Sequence, residues 1–136
     1  MIRVSEIEAL EKVSGQVEGM HTELSIVAKK SPNDAINKFK LKLLNQVLEA
    51  ANEVLGEEYE PIEGFEKFEE DDIPTSSDAV FVLNQYIAEI ERMRADNTFG
   101  YAGNWYYRLD SDDPESCDEK GELLKIRAYT PKKVRK

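Results

Sequence analysis

A single cysteine, Cys117, and a single histidine, His21, stand in this sequence of 136 residues. With one cysteine the chain can form neither an internal disulfide nor a cysteine-based zinc site, and a cytoplasmic, reducing location is the expectation that follows. With one histidine, any Ser-His-Asp or Cys-His apparatus must use His21, and nothing in the spacing brings it to Cys117. Glu18 and His21 have the Glu-x-x-His spacing of half a di-iron site, but such a centre needs two of them. His21 therefore reads as a helix-packing or solvent-facing side chain. The glycine signatures of nucleotide binding are missing as well: neither Gly-x-x-x-x-Gly-Lys nor Gly-x-Gly-x-x-Gly occurs, so no cofactor is expected. Long apolar runs are also absent. The longest, residues 79–83, is five residues, against the roughly 20 of a membrane span. The first residues enter a charged helical pattern without the apolar stretch of a secretion signal.

What is present suffices for one core. Hydrophobic residues make up 40 % of the chain, with Trp105, six tyrosines and five phenylalanines, in a length that fits one domain over residues 1–130 and a basic flexible tail over 131–136. The net charge is -10, yet it is unevenly spread: every acidic residue lies at or before Glu122, whereas residues 125–136 hold six cations and no acid. Eleven carboxylates and one cation, Lys67, fall within residues 49–72. So negative a field repels nucleic acid and suits a basic protein partner. The contact residues expected there are Glu57, Glu58, Glu60, Glu63, Glu66, Glu69, Glu70, Asp71 and Asp72. The plain alternative is a solvated surface that keeps the protein soluble.

Apolar residues at Val4, Ile7, Leu10, Val13, Val17, Met20, Leu24 and Val27 recur at three and four, the period of an amphipathic helix, with Ser5 and Glu8 as its capping box. The same seam, from Ile7 to Val27, is the expected contact of a homodimer. Ser31-Pro32-Asn33-Asp34 reads as the start of a second helix ending at Gly56, and its wide apolar stripe predicts the central helix of the bundle. Residues 57–74 lose the period and form a long connection whose aromatic residues pack over the helices. Thr75-Ser76-Ser77-Asp78 opens a third helix to about Asn97. Gly100-Tyr101-Ala102-Gly103 reads as a turn, since it carries none of the basic residues of a phosphate-binding Gly-x-x-Gly loop. Two strand-like runs follow, 105–109 and 123–129, with Trp105, Tyr107, Leu109, Leu124, Ile126 and Ala128 facing the helices.

The fold class expected is α+β, mainly α: a three-helix antiparallel bundle with a C-terminal two-stranded antiparallel β-hairpin. The outer hairpin face then presents Tyr106, Arg108, Lys125, Arg127 and Tyr129, rings and cations that suit RNA or single-stranded DNA. Asp112, Asp118 and Lys120 are the residues a metal-dependent hydrolase would use, a weak match to an Asp-x-Lys pattern in a charged loop. Acidic oxygens in residues 110–115 lack the spacing and glycine of an EF-hand loop. The sequence favours a small, non-catalytic interaction or accessory protein that binds a basic protein through its acidic surface, with nucleic-acid binding by the hairpin as the alternative.

Overall fold

A computed structural model describes residues 1–128, so Tyr129 and the basic tail lie outside the described residues. Three helices, α1 (Val4–Lys30), α2 (Lys38–Leu55) and α3 (Ser76–Asp96), precede strands β1 (Thr98–Tyr101) and β2 (Asn104–Tyr107), a short 3-10 turn (Pro114–Ser116) and β3 (Arg127–Ala128). The fold is α+β and mainly α, with helices of 27, 18 and 21 residues against strands of four, four and two.

The period of three and four in α1 buries Ile7, Leu10, Val13, Val17 and Leu24. Its start differs from the expected Ser5/Glu8 box. Arg3 N–H donates to the Glu6 carboxylate at 3.1 Å, and Val4 N–H donates to the carboxylate of distant Asp113 at 2.9 Å. Two donors that the first turn leaves open are thus met by acidic oxygens at the positive end of the dipole.

The second helix starts later than the Ser31-Pro32 signal predicts. Ser31 instead ends α1, its N–H donating to Val27 O at 2.8 Å. The backbone that follows is claimed by the start of α3: Ile36 N–H donates to Pro74 O, Ser76 N–H donates to Asp34 O, and Ala35 bridges Thr75. Asn37 then caps α2 by accepting from Lys40 N–H at 2.8 Å. The predicted cap of α3 is in place, with Thr75 Oγ1 accepting from Asp78 N–H at 3.1 Å.

The centre of the bundle is α1, not α2: α1 packs antiparallel against both other helices, while α2 and α3 approach each other less closely and are joined by the Tyr86–Asn52 hydrogen bond. Ile36 meets Pro74 at one end of α2 and α3, and Tyr59 meets Asp96 at the other, so these two helices run in the same direction. That orientation explains the long connection. An 18-residue helix is about 27 Å long, and a chain entering a parallel neighbour must first cross back over that length. Leu44, Leu48 and Ala51 of α2, Leu10 and Val17 of α1, and Leu83 and Tyr86 of α3 are fully buried where the layers meet.

The sheet order is β1-β2-β3, all antiparallel. The expected pairing of the two late runs exists, as Trp105 opposite Ala128 and Tyr106 opposite Arg127. A further strand lies on the other side of β2, built from residues that read as a turn. Ala102 and Gly103, with φ of 52° and 81°, close a two-residue hairpin of the kind that needs two left-handed residues. Gly100 stands opposite Trp105, and the indole covers it, 3.6 Å from where a Cβ would sit. Leu124, expected to face inward, is 41 % exposed. Residues 117–124 form their own loop, with Asp118 Oδ1 accepting from the N–H groups of Lys120 and Glu122, so the inward alternation begins only at Ile126. No helix among the described residues is long and apolar enough to cross a membrane.

Candidate functional site

Two surfaces collect the residues singled out in the sequence. The first is the acidic crossover. Asn45 and Asn52, seven residues apart on one face of α2, hold it down. The Asn45 amide donates to Phe68 O at 2.9 Å and accepts from Phe68 N–H at 3.0 Å, and the Asn52 amide donates to Glu66 O at 2.8 Å while accepting from the Tyr86 hydroxyl at 2.7 Å. Phe65 and Phe68 meet edge to face, their centroids 5.1 Å apart. With the backbone and rings turned to the helices, Glu57, Glu58, Glu60, Glu63, Glu66, Glu69, Glu70, Asp71 and Asp72 are all exposed. Lys67, the single cation of the segment, pairs with Glu49 at 3.0 Å, and that hydrogen bond and charge raise its affinity for the proton. Tyr59 anchors the start: its buried hydroxyl donates to Asp96 at 2.8 Å, and Arg92 lies 5.1 Å over its ring. Burial, followed by the Asp96 carboxylate, pushes that hydroxyl above the ordinary tyrosine range.

The second surface is the outer face of the sheet. Register places Phe99, Tyr106 and Arg127 in one row across the three strands, with Tyr101 and Asn104 as the next pair on the same face. The Phe99 and Tyr106 rings lie 6.0 Å apart, Arg108 sits 5.8 Å over the Phe99 ring, and Arg127 donates to Asn104 at 2.7 Å. The structure thus brings together Tyr106, Arg108 and Arg127 as the sequence expects, with exposed Lys125 just before β3. Phe99 and Tyr101, 38 % and 66 % exposed, join them through β1, whose Gly100 and Tyr101 the sequence predicts as a turn. The missed signal was aromatic alternation through Phe99-Gly100-Tyr101, masked by the glycine.

Beneath this sheet sits a polar cluster that the sequence did not single out. Arg94, buried in α3, donates to Glu91 at 2.5 Å, to Glu11 at 3.0 Å and to Ser14 at 3.0 Å, and the Tyr107 hydroxyl of β2 donates to Glu11. Burial lowers the basicity of Arg94, but the hydrogen bonds to Glu11 and Tyr107 and the charges of Glu11 and Glu91 outweigh it. Burial and the bond to Glu11 raise the Tyr107 hydroxyl above its ordinary range. One guanidinium therefore bolts β2 to both α1 and α3.

The remaining candidates are dispersed. Asp112, Asp118 and Lys120 are exposed loop residues, and among the described residues no three His, Cys, Asp or Glu side chains converge as metal ligands. Of the seam expected to carry a homodimer, Ile7, Leu10, Val17 and Leu24 are buried in the protomer's own core, while Val13 and Met20 also border an open cleft between α1 and α2. There Ala9, Val13 and Met20, with Leu43, Val47 and Val54 of α2, line a cleft of about 930 Å³. No protein-family model, curated protein or solved structure matches the chain.

Proposed function

We propose that this is a non-catalytic, intracellular accessory protein whose acidic crossover docks a basic protein partner. The observation that carries the reading is the pinning of the crossover: Asn45 and Asn52 bond its backbone while all nine acidic residues are exposed. Acidic side chains on an ordered backbone meet a partner's cations without first losing chain entropy, which favours recognition over simple solubility. The test is recovery of tagged wild-type chain beside a Glu63→Gln, Glu66→Gln, Glu69→Gln, Glu70→Gln variant, from nuclease-treated extract of the native source. A basic protein retained by the wild type and lost by the variant supports the reading. Equal retention by both overturns it.

A further inference from the structure

We infer that the outer face of the sheet is a second, independent binding site, and that its ligand is single-stranded nucleic acid. Three rings, Phe99, Tyr101 and Tyr106, stand on one face of two paired strands. Rings on a flat, fixed sheet offer stacking planes to unpaired bases, an interaction that tolerates any base sequence. The arginines on this face differ from the other arginines among the described residues. Arg3, Arg92 and Arg94 are each engaged by a carboxylate, whereas no ion pair among the described residues uses Arg108 or Arg127, and exposed Lys125 adjoins them. Arg108 rests on the Phe99 ring and donates to Thr98 O, and Arg127 donates to Asn104. The chain continues from β3 into four further cations, Lys132, Lys133, Arg135 and Lys136, with no acidic residue among them. A duplex hides its base faces and cannot use the rings, so the preference is for a single strand.

The face is also rigidly mounted. Its opposite side carries Trp105, which covers Gly100, and Tyr107, which is bonded to Glu11. Side chains on the outer face can therefore be changed without touching the core, and Trp105 emission reports whether the sheet survives.

The experiment titrates the full chain into a fluorescein-labelled ten-residue oligouridylate, an abasic backbone of the same length and a duplex, following anisotropy in low salt. The expected result is binding of the oligouridylate ahead of both controls. Tyr101→Ala, the most exposed of the three rings, weakens it about fivefold or more with Trp105 emission unchanged, and Tyr106→Ala does the same. Lys125→Gln reduces the slope of log affinity against log salt by about 0.7, the value for one phosphate contact on a single strand. Equal binding of the abasic backbone overturns the stacking site. So does an affinity indifferent to both tyrosine variants. No anisotropy change at protein concentrations of about 100 µM also overturns it, and leaves the β1 edge to an added peptide strand. Because the acidic crossover takes no part in this titration, either reading can fail alone.

Discussion

The two flanks of α1 are built on different principles. Toward α3 and β2 it is closed by a polar cluster, with Glu11 and Ser14 reaching the buried Arg94 and Tyr107. Toward α2 the contact is apolar and incomplete, with the cleft beside Val13 and Met20 open and nothing within 4 Å of a Cβ placed at Gly15 or Gly19. Apolar packing has little directional preference and tolerates such gaps. A buried guanidinium with several acceptors has one acceptable geometry, and here that geometry sets where the sheet sits on the helices.

The contrast is broken most severely by Arg94→Met. It leaves Glu91 and Glu11 without their cation and is expected to cost about 3–5 kcal/mol, measured as the urea midpoint followed by Trp105 emission. Leu43→Ala, on the open flank, is expected to cost under about 1 kcal/mol, since that side chain is already 39 % exposed. Equal losses for the two would erase the distinction.

Tyr107→Phe tests the same cluster with a smaller change, at about 1–2 kcal/mol near neutral pH for the lost bond to Glu11. Its pH dependence has a defined sign. The unfolded hydroxyl ionises near pH 10 and the folded one only above that, so the folded chain holds more protons beyond pH 10. The stabilisation is complete below about pH 10 and is lost as pH rises toward the folded value. Tyr59 and Tyr86 are shifted the same way. The wild type should therefore lose stability above pH 10, and Tyr107→Phe should lose it less steeply; identical curves would remove Tyr107 from the account.

The smallest effect has the opposite sign. Gly15→Ala and Gly19→Ala should each stabilise by about 0.5–1 kcal/mol, because the added methyl meets open space and the helix gains propensity. Thermal denaturation of the single and double variants checks this. A destabilisation would mean that the open flank of α1 is covered in solution.

The helices were largely legible because their signal is local. Residues three and four apart in α1 report one buried face, and Thr75 lies three residues from the N–H it caps. The Ser31-Pro32 signal does not mark the start of α2 because it is valid only locally: the turn's backbone is paired with Pro74 and Ser76, more than 35 residues on, and Asn37 supplies a rival cap. The sheet was half legible, since alternation separated Tyr106 from Tyr107 correctly while Gly100 hid the strand beside them. Nothing local reveals the cluster around Arg94, whose partners Glu11 and Ser14 are 83 and 80 residues away. The acidic crossover was visible as charge. What pins it was not singled out, although Asn45 and Asn52 at a helix-face spacing in an apolar stripe were its trace.

The carboxylate of Asp113 that receives Val4 N–H spans 109 residues of sequence, and Ile2 is held alongside it by backbone bonds to Arg108 and Asp110. During synthesis α1 therefore emerges before α2 and α3, yet its first turn gains the Asp113 acceptor only after both have been made. Its opening residues wait for residue 113 to leave the ribosome. A truncation anywhere before residue 113 would leave Val4 N–H without this acceptor and free the first turn of the central helix to fray, so the start of α1 reports whether synthesis has passed that residue.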